Sequence, residues 1–379
     1  MVQSAIQVLS ALTSMDFIFR ADSSSDIGTG HVMRCLTLAN ALNAVGHNCS
    51  FICKKHNGNI NSLIRDNNFE VYELEVIEPQ KKSVSDQSAS QSIHYSWIGS
   101  SLDYDAKLTN EILVKRRPDW IVVDHYGLDI SWHKHVRDNT KRIMVIDDLA
   151  DRYHDCEILL DQNLGADIEA YKKLVPNNCE LFIGPKNALL RPEFNRLRDQ
   201  SLFNKRLGKL RRVLINFGGG DKFNLTEKVL RRLSEIKLPK NIQIDVILGP
   251  QVVRDVNFSS FNNVFCGRIK VLRNIENMAE VMMNADLAIS AGGSTSWERC
   301  TLGLPAIIFP TADNQKKITE EIVASGAGVS LTELDLSNGE FETSLQRFYS
   351  PDVLLSYSKA ASNVTKGSGV SALVSNFND

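Results

Sequence analysis

One stretch decides the fold of the first half of the chain: Phe17-Ile-Phe-Arg-Ala-Asp-Ser-Ser-Ser-Asp-Ile-Gly-Thr-Gly-His31-Val-Met-Arg-Cys-Leu36. A short aromatic and β-branched run leads into a glycine turn, and apolar residues then recur at helical spacing until Gly46. This succession is typical of the opening strand, turn and helix of a βαβ unit. It predicts a parallel sheet and a helix that begins immediately after His31.

The same alternation continues on both sides of a basic, aperiodic stretch at Asn195–Arg212. Strands are predicted before it at Phe17–Arg20, Cys49–Cys53, Phe69–Leu74, Trp120–Asp124, Arg142–Ile146 and Ile158–Leu160, and after it at Val213–Phe217, Gln243–Leu248, Val264–Cys266, Ala285–Ser290 and Ala306–Phe309. We therefore expect an α/β protein with two doubly wound, Rossmann-like domains over residues 15–200 and 208–379, joined by this stretch. Ligands of open α/β sheets bind at the carboxyl ends of the strands, so the chemistry is expected in a cleft between the domains.

Composition narrows the classes of function. The chain has 379 residues and a net charge of -2, which provides no general attraction for nucleic acid or an acidic membrane surface. No stretch approaches the roughly 18 consecutive apolar residues that cross a bilayer. The seven cysteines are scattered, as in proteins of a reducing cytoplasm. We expect a cytoplasmic monomer, with an extension at residues 1–14 and a surface insertion without chemistry at 80–101.

Three glycine turns follow predicted strands and are candidate ligand sites. In the strongest, Ala291-Gly-Gly-Ser-Thr295, an apolar strand runs into a turn that opens a helix. Amides at such a turn and the positive end of the helix dipole favour a phosphate, and Glu298 has a carboxylate suited to ribose hydroxyls. A plain capped helix is the alternative. The candidate binding residues of the three turns are Gly28, Gly30, Gly218, Gly219, Gly292, Gly293, Ser294 and Thr295.

Two common nucleotide-binding motifs are missing from the sequence. Gly28-x-Gly30 has no third glycine, because Met33 stands there, and no acidic residue closes the second strand. NAD binding is therefore not expected, and no P-loop string points to an ATPase or kinase. We expect no cofactor, and no metal is implied because no Asp-x-Asp string accompanies the strand ends.

A histidine stands at the first turn of the first predicted helix. The helix N-terminus disfavours an imidazolium, and a neutral imidazole is the form that a general base needs. His31 is therefore the candidate catalytic base, with a helix cap or packing residue as the alternative. Asp124, His125 and Tyr126 follow a buried-type strand, where they either bind substrate or merely terminate the strand.

Several strings together resemble the UDP-2,4-diacetamido-2,4,6-trideoxy-β-L-altropyranose hydrolases (PseG) of pseudaminic acid biosynthesis. The similarity runs from Met15 to about Gly328. The matching strings are Phe19–Ala39, Asp124-His-Tyr-Gly127, Ile146–Arg152, Leu160–Asn163, Ser290–Glu298 and Asn314-Gln315. The first string is specific to this family, whereas the glycine turn in Ser290–Glu298 is shared with many UDP-sugar glycosyltransferases.

The resemblance implies the two-Rossmann-domain GT-B fold, with UDP held by the C-terminal domain and the sugar facing the N-terminal domain. It implies that His31 activates water, that Tyr126 and Asn314 position the sugar or its diphosphate, and that Gln315 belongs to the substrate site.

The expected function is metal-independent hydrolysis of a UDP-acetamido sugar at its anomeric carbon, with inversion. A GT-B glycosyltransferase, a hydrolysing UDP-sugar 2-epimerase and a non-catalytic nucleotide-sugar binding module are alternatives, because a fold by itself does not determine the acceptor. A binding module has no need of His31.

Overall fold

The computed structural model describes residues 14–77, 94–219, 221, 223–249, 258–273 and 275–377. Of the expected terminal extension and surface insertion, residues 1–13 and 80–93 lie outside the described residues. The chain divides into two compact units, each with its own parallel sheet. The predicted class, an α/β protein with two Rossmann-like domains, is confirmed.

Unit 1 contains the described residues as far as Gln162, residues 166–189 and the residues from Val370 onward. Its strands are β1 (Asp16–Ala21), β2 (Asn48–Lys54), β3 (Glu70–Leu74), β4 (Trp120–Asp124), β5 (Arg142–Ile146), β6 (Ile158–Asp161) and β7 (Glu180–Ile183). Its first helices are α1 (Gly30–Ala44), α2 (Asn61–Asp66), α3 (Leu102–Arg116), α4 (Ile130–Val136) and α5 (Ile168–Lys172). The parallel strands lie in the order β3-β2-β1-β4-β5-β6-β7.

The direction of winding reverses between β1 and β4. In their parallel register Ala21 pairs with Asp124, so both strands end at the same level. The connections that leave them run to opposite sides of the sheet, which opens a crevice at their carboxyl ends. The Gly28–His31 segment follows β1, and Asp124 ends β4 directly before His125 and Tyr126.

Unit 2 contains residues 163–165 and 190–369. Its strands are β8 (Arg212–Asn216), β9 (Gln243–Ile247), β10 (Ile269–Leu272), β11 (Leu287–Ser290), β12 (Ala306–Ile308) and β13 (Gly328–Ser330). Its helices are α6 (Pro192–Lys205), α7 (Leu225–Glu235), α8 (Phe258–Val264), α9 (Met278–Met283), α10 (Thr295–Thr301), α11 (Asp313–Ala324), α12 (Glu340–Arg347) and α13 (Pro351–Val364). The order β10-β9-β8-β11-β12-β13 repeats the winding of unit 1, with its reversal between β8 and β11.

The strand predicted at Val264–Cys266 is wrong. Val264 ends helix α8, and Cys266 and Gly267 then take left-handed conformations with φ of +53° and +77°. Such residues stop a helix and reverse the chain, so the extended segment begins only at Ile269. The apolar run was too short to distinguish a helix end from a strand.

The connection predicted at Asn195–Arg212 is wrong for its first half, which is part of helix α6. Pro192 starts this helix and Phe194 is buried. Arg198 donates to the carbonyl oxygens of Thr301, Ser362 and Thr365, so tertiary contacts order a segment with little apolar periodicity. The units consequently divide at Leu189–Leu190, not between residues 200 and 208.

Helix α14 (Gly369–Phe377) carries the end of the chain into the core of unit 1. Its buried residues are Val370, Leu373, Val374 and Phe377. The Phe377 ring meets Trp120 edge-on at 4.9 Å and Phe17 at 5.1 Å between ring centres. The predicted domain over 208–379 therefore lacks its last helix. None of the described helices combines the length and apolar content that a membrane span requires.

The Phe377→Ala variant tests this assignment. Removing the ring leaves a cavity against Phe17 and Trp120, so the free energy of unfolding should fall by about 3 kcal/mol. Chemical denaturation measures the change. Ser371→Ala, at an exposed position of the same helix, is the control and should stay within about 0.5 kcal/mol of the parent. Equal values for the two variants would contradict the assignment of α14 to the unit 1 core.

Candidate active site

His31 and Asp124 form a hydrogen-bonded pair at the crevice of unit 1. His31 Nδ1 lies 2.6 Å from Asp124 Oδ1, and both side chains are buried. Burial raises the pKa of the Asp124 carboxyl, but the opposing effect of Arg34 and His31 is larger. The pKa of Asp124 is therefore well below its ordinary value. An ionised carboxylate only accepts hydrogen bonds, so Nδ1 carries the proton. The neutral imidazole then keeps a lone pair on Nε2, as a general base requires.

Arg34 holds the Asp124 carboxylate against His31. Its Nε lies 2.6 Å from Oδ2 and its Nη2 lies 2.7 Å from Oδ1. Its Nη1 donates to Asp148 Oδ2 at 2.7 Å, and the Tyr126 hydroxyl donates to the same oxygen at 2.5 Å. One guanidinium therefore bridges the carboxylate behind His31 and the carboxylate that orients Tyr126.

Tyr126 presents a neutral hydroxyl and an aromatic face to this cluster. Burial, with a contribution from Asp148, raises the pKa of the Tyr126 hydroxyl well above its ordinary value. The ring meets the His31 imidazole edge-on, with 4.6 Å between ring centres. The structure thus brings three residues of the predicted site together, namely His31, Asp124 and Tyr126.

Trp97 extends the aromatic surface beside His31. It stacks on Tyr126 with 5.6 Å between ring centres and approaches His31 edge-on at 6.2 Å. His94 packs against both Trp97 and Tyr126. The Trp97 and His94 rings both belong to the 80–101 insertion, for which no chemistry was expected. The structure instead places them next to the candidate base. Aromatic faces of this kind pack well against the apolar side of a sugar.

His125 belongs to a different, buried network. Its Nδ1 accepts a hydrogen bond from the Gly127 amide at 3.0 Å, and its Nε2 lies 3.4 Å from Asp22. Asp22 in turn pairs with Arg20 at 2.7 Å and accepts from the Lys54 amide. Burial lowers the pKa of His125 despite Asp22. The contacts of His125 hold the loop after β4 in place.

The backbone between β1 and α1 is open around its glycines. Gly28 has φ +81°, and its amide donates to Ser24 at 2.9 Å, so the turn requires a left-handed residue. A Cβ at Gly28 or Gly30 would have no neighbouring atom within 4 Å. Space for a ligand is therefore present at the backbone that precedes His31.

In unit 2 the Gly292 turn (Gly292–Ser294) joins β11 to α10. A Cβ at Gly292 would lie 2.3 Å from Thr319 Oγ1, so this glycine lets the turn pack closely on α11. A Cβ at Gly293 would meet only Gln315 Nε2, at 3.7 Å. Ser294 is exposed and its hydroxyl caps no amide of α10, while Thr295 opens the helix.

Gln315 fastens the Gly292 turn to the end of β12. Its Oε1 accepts from the Gly292 amide at 3.2 Å, from the Thr311 amide at 3.0 Å and from the Thr311 hydroxyl at 3.1 Å. The Gly292 amide, which the sequence assigned to a phosphate, is therefore engaged within the protein. Asn314 precedes Gln315 in α11, and its side chain lies outside the described residues.

The Gly218 turn is organised by its own neighbours. Gly218 has φ +81°, and the carbonyl oxygens of Gly218 and Gly219 pack so closely on Gly249 that a Cβ there would lie 2.4 Å from each. Asp221 accepts hydrogen bonds from two amides at the start of α7, at 2.8 and 3.0 Å. An internal carboxylate thus occupies the end of the helix that follows the predicted binding residues Gly218 and Gly219.

Glu298 lies on α10 within reach of Arg191, whose Nη2 is 3.4 Å from Oε1. Burial raises the pKa of the Glu298 carboxyl, and Arg191 partly offsets this effect. The side chain keeps 16% of its surface exposed. A carboxylate with this partial exposure can accept hydrogen bonds from a ligand hydroxyl.

Sequence reasoning missed Arg34 and Trp97. Arg34 stands three residues after His31, and this helical spacing places both on one face of α1, which was a usable signal. Trp97 has no such signal, because it lies beside a polar, aperiodic segment.

Comparisons with known proteins show which enzymes this chain is similar to. Residues 213–372 match the glycosyltransferase family 28 C-terminal domain. The UDP-2,4-diacetamido-2,4,6-trideoxy-β-L-altropyranose hydrolase of Campylobacter jejuni is 30% identical over 288 residues, which cover 74% of this chain and 86% of that protein. An uncharacterised protein of Methanocaldococcus jannaschii is 26% identical over 340 residues; the aligned region covers 85% of this chain but spans only 63% of that longer protein.

The fold has close counterparts among solved structures. The crystal structure of Acinetobacter baumannii MurG matches 96% of this chain and 99% of its own with a TM-score of 0.68, at 16% identity. Similarity at this level of identity shows the fold alone. The predicted GT-B architecture is confirmed.

A double-mutant cycle tests the packing of the Gly292 turn. Gly292→Ala should lower the free energy of unfolding by about 1–3 kcal/mol, because the new methyl group overlaps Thr319 Oγ1. Adding Thr319→Ala removes that atom, so the double variant should lose less than the sum of the two single variants. Gly293→Ala is the matched control and should cost less than Gly292→Ala. Strict additivity in chemical denaturation would show that the two residues do not touch.

Proposed function

Because the chain belongs to the GT-B enzyme family that includes the C. jejuni UDP-2,4-diacetamido-2,4,6-trideoxy-β-L-altropyranose hydrolase, we propose that it hydrolyses a UDP-activated acetamido sugar. The proposed products are UDP and a free 2,4-diacetamido-2,4,6-trideoxy hexose of the pseudaminic (nonulosonic) acid type. The observation that carries this proposal is the buried His31–Asp124 pair, whose geometry suits a base that deprotonates a small nucleophile.

In the proposed reaction His31 Nε2 removes a proton from a water molecule directed at the anomeric carbon. The water oxygen bonds to that carbon as the bond to the diphosphate oxygen breaks, with inversion of configuration. Asp124 keeps its hydrogen bond to Nδ1–H and stabilises the imidazolium that forms. The Tyr126 hydroxyl, held by Asp148, and the aromatic face of Trp97 are assigned to positioning the sugar.

Unit 2 is assigned to the UDP moiety. The amides of Gly293, Ser294 and Thr295 at the start of α10 are proposed to stabilise the charge that develops on the departing diphosphate, in place of a metal. Glu298 is proposed to accept from the ribose hydroxyls. Gln315 supports this site by holding the Gly292 turn, and Asn314 is assigned to the diphosphate on the family resemblance.

A glycosyltransferase is the second candidate. The match of residues 213–372 to the glycosyltransferase family 28 C-terminal domain favours it, because this region covers most of the half of the chain assigned to UDP. A transferase requires an acceptor hydroxyl at the place where a hydrolase admits water. Hydrolysis without an added acceptor therefore distinguishes the two.

The reaction itself is tested by incubating the protein with a panel of UDP-acetamido sugars and following the anomeric and uracil signals by NMR. We expect UDP and free sugar to form at equal rates, with the first-formed anomer opposite in configuration to the bound sugar. Turnover that appears only when an acceptor is added would favour the transferase. A product altered at C2 would favour the epimerase, and unconverted ligand would indicate a binding module.

Two substitutions test the roles of the pair. His31→Asn removes the base and should lower kcat about 10²–10⁴-fold while UDP still binds. Asp124→Asn should lower kcat by about 10²-fold or more, because an amide no longer selects the tautomer with a free Nε2 lone pair. His135→Asn, at an exposed histidine of the same unit, is the control. Turnover of His31→Asn at the rate of the control would assign the base elsewhere.

A further inference from the structure

We propose that Arg34 is a positioning residue of this site, which orients the His31–Asp124 pair, compensates the charge of the Asp124 carboxylate and ties the pair to Tyr126 through Asp148. The inference rests on the proposed function for the role of His31 as a base. The orientation of the His31 imidazole by Arg34, through Asp124, is argued from the contacts alone.

The contacts of Arg34 use three guanidinium nitrogens on two carboxylates. Nε and Nη2 form a fork on both oxygens of Asp124, at 2.6 and 2.7 Å. Nη1 donates to Asp148 at 2.7 Å, and Nη2 also lies 3.4 Å from His31 Nδ1. A lysine presents a single ammonium and has no planar fork for this double contact.

The charges around His31 come from several elements. Asp124 and Tyr126 follow β4, Asp148 follows β5, and His94 precedes the short helix that carries Trp97. Arg152 lies 5.9 Å from the Tyr126 ring centre, but its own ion pairs are with Asp147 and Asp151. Among the described residues, Arg34 is the cation that contacts Asp124.

Two carboxylates and one guanidinium therefore set the electrostatic environment of the imidazole. With Arg34 in place, the nearby charge of Asp124 is largely compensated. Without it, the uncompensated carboxylates would favour the imidazolium, which has no free lone pair and cannot act as a base. Asp148 opposes this effect of Arg34. Because the guanidinium contacts Asp148 as well as Asp124, its positive charge is divided between two carboxylates.

The same bridge explains how Tyr126 is oriented. Its hydroxyl and Arg34 Nη1 donate to one oxygen of Asp148, so a movement of the guanidinium also releases the ring that meets His31 edge-on. The Arg34 side chain thus helps to hold both the proposed base, His31, and the proposed sugar-positioning residue, Tyr126.

Opposite shifts in two variants test the proposal. In Arg34→Gln the His31 signals should titrate at a higher pH than in the parent, because a cation beside the Asp124 carboxylate is lost, and in Asp148→Asn at a lower pH, because an anion is lost. Imidazole NMR signals follow the titration in the protein without substrate, and the signal missing from His31→Asn assigns His31. The acidic limb of the kcat/KM profile should move in the same directions. In Arg34→Lys, which keeps the charge but loses the planar fork, the His31 titration should stay close to that of the parent while kcat falls about tenfold.

Arg137→Gln is the matched control, since Arg137 pairs with Asp155 and Glu157 in the same unit and should leave the His31 titration unchanged. A purely structural role for Arg34 would lower stability without moving the titration. Titrations that do not move, or that move in the same direction in Arg34→Gln and Asp148→Asn, would overturn the proposal. If Arg34→Gln fails to fold, Asp148→Asn and Arg34→Lys still decide it. If the parent hydrolyses no UDP-sugar, the proposed function fails while the NMR titration still decides the role of Arg34.

Discussion

The Asp124 carboxylate is the group on which the candidate active site of unit 1 depends. It is fully buried, and a buried carboxylate is stable only when charges or hydrogen bonds compensate it. Here the Arg34 guanidinium contacts both oxygens, the His31 imidazole contacts Oδ1, and the Cys35 thiol donates to Oδ2. The buried carboxylate needs a donor, and His31 supplies it from Nδ1. The contact that stabilises the carboxylate therefore also selects the imidazole tautomer that the proposed chemistry requires.

The fold supplies this arrangement through strand order. Because β1 and β4 are neighbours and their connections leave in opposite directions, the start of α1 and the end of β4 meet at one crevice. His31 and Asp124 are 93 residues apart in the chain, yet the parallel register places them in contact. Asp148 reaches the same place because β5 is the next strand along.

The two units prepare their sites by different means. Unit 1 concentrates buried charge, with Arg34, Asp124 and Asp148 in direct contact. In unit 2 the Gly292 amide donates a neutral hydrogen bond to Gln315 Oε1, and the Gly292 turn packs closely on Thr319. A charged cluster suits a base that must respond to a proton, whereas a rigid neutral turn suits the binding of a diphosphate without competing for its charge.

The sequence by itself determined the alternating strands and helices, the two Rossmann-like units, the glycine turns and the candidate base His31. These features depend on spacing within one element or on residues with special backbone freedom, and both are visible locally. Tertiary structure alone decided that α6 is a helix, that α14 completes the core of unit 1, that Trp97 joins the site, and that Arg34 contacts both Asp124 and Asp148. It also decided that the Gly292 amide and the start of α7 are already occupied by Gln315 and Asp221. These features depend on contacts between residues that are far apart in the sequence. A buried donor or acceptor must find a hydrogen-bond partner, and the packing of the fold determines which group is within reach.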